Sequence, residues 1–180
     1  VLYVALDPSR GMEGQGLAIV PLDLPGISRG KPLDKMGQRP LNQGSIFFQD
    51  ARIPKNYMVV PNPDFMKQMG GLALSYVNGG MALVFAGLAK AAFDEAFQYA
   101  KNRIQGGKPI FDHQNIRLKL MKMFTYVEAA RANARRMAMY NLANPSTPSV
   151  AHAVAAKSLS TETATFVASE AMHIFGGYGL

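Results

Sequence analysis

The chain has 180 residues, of which 48% are apolar and 17% charged, a composition that suits a globular protein with one substantial core or two small ones. It contains no cysteine, which excludes disulfides, thiolate nucleophiles and zinc–thiolate sites. Its net charge of +7 comes from 19 basic residues that are spread along the chain and form no run, a pattern as compatible with phosphorylated small molecules as with nucleic acid.

Residues 1–61 are predicted to form three or four short β-strands. The β-prone runs LYVAL, LAIVPL and SIFFQDARI are separated by DPSRG, DLPGISRG and GQRPLNQG, which are rich in turn-forming Gly and Pro. A small closed barrel usually needs roughly eight strands. We therefore expect only part of a barrel or sheet here, with its edges covered by strands outside these residues or by another chain.

A first long helix is predicted from Pro61 onward, where the apolar period changes from two to about 3.6. Asp64 can cap it. We expect its buried stripe to consist of Val77, Met81, Val84, Leu88, Ala91 and Tyr99. Each helix glycine costs up to about 1 kcal/mol relative to alanine, so a neighbouring helix or ligand should approach closely to compensate. These glycines are Gly70, Gly71, Gly79, Gly80 and Gly87.

Two further helices follow. The second has a seam with alternating steps of four and three, formed by Ile116, Leu120, Met123, Val127, Ala130, Ala134 and Met137. For the third we expect Thr147 as the cap and Pro148 as the first helical residue. Its apolar positions are Val154, Leu159, Phe166 and Ile174. Three long antiparallel helices usually belong to a bundle of four, so residues 62–180 are predicted to be an incomplete four-helix bundle in an α+β protein.

Few residues are candidates for catalysis. His113, His152 and His173 have no second ligand at metal-site spacing, so we predict no metal site. Glu95 and Glu128 are more simply explained as members of partly buried ion pairs than as catalytic bases. No run approaches the roughly 18 apolar residues of a membrane span, and no targeting signal is evident.

The turn between the first two helices is a candidate anion site. Arg103 is followed by Gly106 and Gly107, and the next helix opens near Asp112, His113 and Gln114. Exposed backbone N–H groups, a nearby arginine and a helix amino terminus can together bind a pyrophosphate. On these grounds alone the turn could equally serve only to reverse the chain.

Three motifs resemble those of the acyl-CoA dehydrogenase family. The run YAKNRIQGGKPIFDHQNIRLKLMKM resembles its signature, in which an Arg, then Phe-Gly-Lys-Pro-Ile, then an aromatic or His followed by Gln joins two bundle helices. MHIFGGYGL resembles the later Gln-Ile-x-Gly-Gly-x-Gly motif. DKMGQRPLNQGSIFFQDARIPKNYMV resembles the end of the family's middle β-domain.

The resemblance implies a domain organisation. Residues 1–61 would be the carboxy-terminal part of the middle β-domain, and residues 62–180 the truncated carboxy-terminal helical domain. Because the chain opens inside an apolar run and closes on glycines, we expect it to be a fragment of a longer protein. The family further implies an acyl-CoA substrate and a homodimer or homotetramer. We also expect no nucleic-acid partner and a cytoplasmic location.

By the same resemblance the cofactor is FAD, held by the bundle of a neighbouring subunit. Arg103 matches the pyrophosphate-binding arginine, and Gln105 and Gln114 match the signature around it. His173 stands where the family has an adenine-proximal Gln, and Gly176 and Gly177 would let the backbone approach the dinucleotide. Two departures are that Gly106 replaces the usual Phe and that His173 can copy only one hydrogen bond of Gln at a time.

No catalytic residue is assigned. In the family a Glu removes the α-proton of an acyl-CoA thioester while a hydride passes to the flavin. A minority of members carry that Glu on the first bundle helix, where this chain has Val77, with Asn78 at the position of a usual Arg. We expect a fragment of an FAD-dependent acyl-CoA dehydrogenase that is inactive alone. The alternatives are a flavin monooxygenase or acyl-CoA oxidase of the same fold, and a noncatalytic helical assembly module.

Overall fold

The computed structural model describes residues 1–59 and 63–179 and divides the chain into two compact units, Val1–Gln68 and Met69–Leu180. Short strands occupy the first unit and long helices the second, which confirms the predicted α+β class. The predicted helix start at Pro61 and the proposed domain boundary there lie outside the described residues, and so does the side chain of Asp64.

The first unit contains two small antiparallel sheets. The central strand of the larger sheet pairs with one strand on each side, in the order β1-β2-β5. The smaller sheet pairs β3 with β4, and no barrel closes among the described residues. The strands are β1 (Leu2–Ala5), β2 (Gln15–Ala18), β3 (Ile27–Arg29), β4 (Ile46–Phe48) and β5 (Met58–Val59).

Strand β3 lies in a segment that the sequence predicted as a turn. Gly26 precedes it with φ +82°, and a Cβ at this glycine would lie 2.4 Å from the carbonyl oxygen of Gln49. The glycine therefore makes the turn itself and lets the chain pass close to the residues after β4. The Gly and Pro residues of this segment led to the prediction of a turn. In the structure, three residues within it form a strand that pairs with β4.

The second unit is built on three long helices, α1 (Pro63–Asn102), α2 (Gln114–Ala143) and α3 (Val150–Phe175). Ala82 and Ala86 of α1 pack in one cluster with Met137 near the end of α2, whereas Ala100 packs with residues near its start. Consecutive helices are therefore antiparallel, as predicted. A two-stranded hairpin, β6 (Ile104–Gln105) and β7 (Lys108–Pro109), connects α1 to α2.

The predicted seam of α2 is confirmed. All of its predicted residues except the partly buried Ile116 are buried, and all but Ala130 belong to one of two core clusters. The steps of four and three place these side chains on one face of the helix, as in other bundles. The buried members are Leu120, Met123, Val127, Ala130, Ala134 and Met137.

The predicted buried stripe of α1 is largely wrong. Val77, Val84 and Leu88 are 65%, 58% and 52% exposed. Of the apolar positions named for α3, Val154 is exposed, Leu159 and Phe166 are partly buried, and Ile174 is buried. Most buried positions of both helices carry small side chains, which allow helix axes to approach closely; Val167 and Ile174 of α3 are the larger exceptions. In α1 the small buried residues are Ser75, Gly79, Ala82, Ala86, Ala89, Ala96 and Ala100, and in α3 Ala153, Ala156, Ser160, Thr163, Ala164 and Ala171.

Of the five α1 glycines, Gly79 alone has a tight neighbour. A Cβ at Gly79 would lie 3.0 Å from the sulfur of Met137, so the expected compensation by a neighbouring helix holds at this position. A Cβ at any of the other four would meet nothing within 4 Å.

Helix α3 begins two residues later than predicted. Ser149, and not Thr147, is the cap, and its hydroxyl accepts a 3.2 Å hydrogen bond from the backbone N–H of His152. The N–H of Ser149 donates to Asn141 Oδ1 at 3.1 Å. That side-chain bond from α2 holds the chain outside the helix up to Ser149, which explains the shift.

Helix α1 is long and apolar enough from Met69 to Asn102 to cross a membrane, by length and composition only. One such helix is weak evidence for a membrane span, because core helices of soluble proteins pass the same test. Here the helix packs its small-residue face against α2 and α3, which is the arrangement expected of a bundle helix.

Candidate functional site

The hairpin between α1 and α2 fixes the position of Arg103. Gly106 and Gly107 form its two-residue turn with φ +63° and +79°, a conformation that glycine adopts without strain. The N–H of Arg103 donates to the carbonyl oxygen of Tyr99 at 2.9 Å, and its own carbonyl accepts from Ile110 N–H at 2.8 Å. Both backbone groups of Arg103 are thus held by the helix end and by the far strand of the hairpin.

A cleft of about 600 Å³ opens where the end of α1, the hairpin, the start of α2 and the end of α3 meet. Tyr99 forms part of its wall, with its ring 4.7 Å from that of Phe175 and 6.4 Å from that of Tyr178. The wall therefore contains a group of neighbouring aromatic rings as well as polar side chains. The lining residues are Tyr99, Arg103, Gln105, Ile110, His113, Asn115, Ile116, Ile174, Phe175, Gly176, Gly177 and Tyr178.

Arg103 is exposed and lines this cleft. Within the ranges 1–59 and 63–179 it makes no ion pair and no side-chain hydrogen bond. Arginine carries five N–H donors and stays charged at any physiological pH. An unpaired guanidinium at a cleft wall is suited to binding phosphate or carboxylate oxygens.

The amino terminus of α2 adds further donors. The carbonyl of His113 accepts the N–H groups of Ile116 and Arg117, both at 3.1 Å, which starts the helix. The N–H groups of Gln114 and Asn115 precede these bonds and have no carbonyl of their own helix to bond. Asn115 lines the cleft, whereas the predicted Gln114 is adjacent in sequence but is not a lining residue.

The glycines after α3 also line the cleft. Gly176 has φ +60° and ends the helix, with its N–H directed to the carbonyls of Met172 and His173. Nothing lies within 4 Å of a Cβ placed on Gly176 or Gly177, so the backbone is open to a ligand at both. Of the predicted site residues, Arg103, Gln105, Gly176 and Gly177 share this cleft, and His173 does not line it.

His173 is instead oriented by a charged pair between α2 and α3. Lys119 donates to a carboxylate oxygen of Glu170, and His173 Nδ1 lies 3.6 Å from the other oxygen. The hydrogen bond from Lys119 outweighs the effect of burial and lowers the pKa of Glu170 below its ordinary value of 4.5. The carboxylate therefore stays charged at neutral pH, beside the imidazole of His173.

The predicted ion pairs have different outcomes. Glu128 pairs with Arg131 one turn further along α2 and is exposed. Glu95 is also exposed and pairs with no residue in the described part of the chain, so the expectation of a partly buried pair is wrong for Glu95. No three His, Asp or Glu side chains of the described residues converge as a metal site would need.

The sequence prediction did not identify the aromatic wall. Tyr99 was expected in the buried stripe of α1, and Phe175 and Tyr178 were not singled out as binding residues. Their spacing around a glycine pair at a helix end was the available signal, since such a turn brings flanking rings to one side. His113 was noted at the opening of α2 and as lacking a second ligand for a metal, and it was not singled out as a binding residue.

A helical bundle with a basic, aromatic-walled cleft at its helix ends has the features of a protein that binds an anionic ligand with flat rings. The family model described as "Acyl-CoA dehydrogenase, C-terminal domain" matches residues 72–180. The chain belongs to the acyl-CoA dehydrogenase family. Its oxidoreductase lineage thus rests on the helical unit, which contains the whole cleft.

Individual relatives extend the similarity to nearly the whole chain. The mitochondrial short-chain specific acyl-CoA dehydrogenase of Rattus norvegicus is 35% identical over 180 residues, covering 99% of this chain and 43% of the relative. The butyryl-CoA dehydrogenase structure from Megasphaera elsdenii is 33% identical with a TM-score of 0.85, covering 98% of this chain and 45% of that one. An acyl-CoA dehydrogenase structure from Geobacillus kaustophilus is 29% identical with a TM-score of 0.87, covering 99% and 47%. The chain thus spans less than half the length of these relatives.

Proposed function

We propose that this chain supplies the dinucleotide-binding cleft of an FAD-dependent acyl-CoA dehydrogenase, an enzyme that introduces a double bond between the α and β carbons of an acyl-CoA thioester. The observation that carries the proposal is the unpaired guanidinium of Arg103 in a cleft bounded by exposed glycine backbone and the amino terminus of α2. When bound, FAD would supply the acceptor for the hydride that leaves the substrate.

The residues of the cleft fit the two chemical parts of such a cofactor. Arg103 and the free N–H groups at the start of α2 suit the negatively charged diphosphate. The rings of Tyr99 and Tyr178 suit a flat base, and Gly176 and Gly177 leave their backbone open beside it. Gln105, Gln114 and His173 are proposed as additional cofactor contacts, His173 being oriented by Glu170.

The proposal includes assembly, location and activity. We infer a homodimer or homotetramer in which the cofactor lies between copies, a cytoplasmic location, and no nucleic-acid partner or membrane span. The chain alone is expected to lack dehydrogenase activity, because Val77 and not a carboxylate stands where a minority of family members carry the base on this helix.

The test is FAD binding by the purified chain, followed by quenching of flavin fluorescence, with Arg103→Gln as the variant. Removing a charged hydrogen-bonding group usually costs about 1.5–3 kcal/mol, so the dissociation constant should rise about tenfold or more. Arg135→Gln is the matched control. Arg135 is exposed on α2 and lies 20 residues beyond Asn115, about 30 Å along the helix from the cleft.

Three outcomes discriminate the proposed functions. A tenfold loss in Arg103→Gln, with Arg135→Gln equal to wild type, supports the cofactor site. Equal binding by all three proteins, or no uptake of FAD by the wild type, overturns it and favours the noncatalytic assembly module. If the bound flavin, once photoreduced, is reoxidised rapidly by air, an oxidase or monooxygenase lineage is favoured over a dehydrogenase.

A further inference from the structure

A second, smaller pocket lies in the groove between α2 and α3 and shares no lining residue with the Arg103 cleft. Its volume is about 180 Å³. A protein cavity of about 150 Å³ can hold benzene, so this space fits one aromatic ring with a small substituent. The lining residues are Lys122 and Tyr126 of α2 and Leu159, Glu162, Thr163 and Phe166 of α3.

Two aromatic rings form an apolar wall of this pocket. The rings of Tyr126 and Phe166 have their centroids 5.1 Å apart and are tilted by 48°. Leu159 lies two turns before Phe166 on α3 and extends the apolar surface. A flat ring placed here would contact both aromatic side chains, an arrangement that contributes beyond the burial of area.

Thr163 brings to the pocket a polar group that has no partner of its own. Its side chain is 1% exposed, and its hydroxyl forms no hydrogen bond within the described residues. The other threonines of α2 and α3, namely Thr125, Thr161 and Thr165, each donate to the carbonyl four residues earlier at 2.9–3.0 Å. A buried hydroxyl without a partner loses its hydration and gains nothing in return, so this exception needs a reason.

Two exposed charged side chains, Lys122 and Glu162, complete the lining, and neither forms an ion pair within the described residues. The ammonium of Lys122 lies 5.1 Å from the centroid of the Phe166 ring, which holds it at the pocket. Glu162 opposes an anion, but no contact within residues 1–59 and 63–179 holds its carboxylate there. The donors of Lys122 and Thr163 therefore favour a ligand with a negatively charged acceptor.

We propose that this pocket binds a small aromatic acid, with its ring against Tyr126 and Phe166 and its carboxylate between the Lys122 ammonium and the Thr163 hydroxyl. The inference is independent of the proposed function of the Arg103 cleft. Because a one-ring ligand has few atoms, we expect a dissociation constant on the order of 1 mM.

The test is a titration of the purified chain with benzoate, followed by saturation-transfer NMR, with benzamide as the neutral ligand of the same shape. We expect benzoate to bind about tenfold more tightly than benzamide, and Lys122→Met to remove this preference. Lys101→Met is the matched control and should keep it. Lys101 also lies over a ring, 5.4 Å from the centroid of Phe97, but it does not line the pocket.

Thr163→Val gives a readout that a purely structural role would not. Valine removes the unpartnered hydroxyl at nearly constant shape, so the midpoint of urea unfolding should not fall, whereas the affinity for benzoate should fall several-fold. Thr165→Val is the control, because the hydroxyl of Thr165 already has a partner in its own helix, and this variant should bind benzoate as the wild type does.

The outcomes that overturn the proposal are distinct from those of the FAD test. Benzoate could also enter the Arg103 cleft, so the titration is repeated with Arg103→Gln. Binding that Arg103→Gln abolishes and Lys122→Met leaves intact belongs to that cleft and overturns the proposal. Equal affinity for benzoate and benzamide in the wild type overturns it too, as does no binding of benzoate up to tens of millimolar. A loss of stability in Thr163→Val with unchanged affinity refutes the role of the hydroxyl.

Discussion

The position of Arg103 is fixed by the residues that reverse the chain between α1 and α2. Its backbone closes both the end of α1 and the base of the hairpin, while the turn itself is left to Gly106 and Gly107. The family pattern has Phe where this chain has Gly106. With φ +63° at this position, glycine removes a backbone strain that a side chain would introduce, at the loss of an aromatic group beside the cleft.

Gly106→Ala should therefore destabilise the helical unit. An L-residue in the left-handed region costs roughly 1–2 kcal/mol, and urea denaturation should show a free energy of unfolding lowered by about that amount. Gly87→Ala is the control, because Gly87 is exposed in α1 with nothing within 4 Å, and there alanine should stabilise by up to about 1 kcal/mol. If the two variants shift in the same direction, the turn geometry is not the cause.

Glu170 predicts a pH dependence of stability. Its pKa is lowered in the folded state, mainly by the hydrogen bond from Lys119, so its contribution is present above its ordinary value of 4.5 and is lost as pH falls below that value. Glu170→Gln should therefore be less stable than wild type near neutral pH, and the gap should close on acidification. Thermal unfolding between about pH 7 and about pH 3 measures this.

The control for this prediction lies on the same helix. Glu162 is exposed and forms no ion pair within the described residues, so Glu162→Gln should follow the wild-type curve. A gap between wild type and Glu170→Gln that stays constant with pH would contradict an electrostatic origin.

The helices differ in how far their packing could be predicted. Helix α2 buries large and small apolar residues at regular spacing, so period alone located its seam. In α1 the buried side chains are alanine, glycine and serine, and several larger apolar residues are exposed; α3 buries mainly small side chains together with Val167 and Ile174. A prediction based on large apolar residues therefore selects the wrong face of α1, because the close approach of the helix axes leaves no room for large side chains on the buried face.

Ser149→Ala tests the corrected start of α3. The Ser149 hydroxyl accepts the N–H of His152, and loss of such a cap usually costs about 1 kcal/mol. Denaturant unfolding should show this loss for Ser149→Ala, whereas Thr147→Ala should stay within about 0.5 kcal/mol of wild type. The reverse ranking of the two variants would restore Thr147 as the cap.

The chain as a whole could be assigned to its fold class and family from sequence, because motifs in the β-rich part, at the junction of α1 and α2, and at the end of α3 occur in one order. Part of the cleft could also be predicted from the sequence. Arg103, Gln105 and the two terminal glycines were recognised, since each belongs to a local motif. Tyr178 and Asn115 were not, because their contribution arises only when the ends of α1, α2 and α3 meet.

The net charge of +7 predicts that the proposed binding of FAD depends on salt concentration. A positive protein attracts an anionic dinucleotide, and added salt screens that attraction. FAD affinity should fall several-fold when sodium chloride is raised from low to high concentration in a fluorescence titration. Riboflavin, which lacks the diphosphate, should bind with an affinity that salt does not lower, and an equal fall for both ligands would contradict the electrostatic explanation.

Because the buried face of α1 is rich in alanine, the usual rule that the most hydrophobic residues tolerate substitution least does not hold in this helix. Ala86 and Ala89 look interchangeable with any residue that favours a helix, yet added bulk at either would push neighbouring helices apart. Leu88 looks indispensable, although within this helical unit half of its surface is in contact with solvent. A ranking of natural variants in this helix by loss of hydrophobicity would therefore put the harmful changes last.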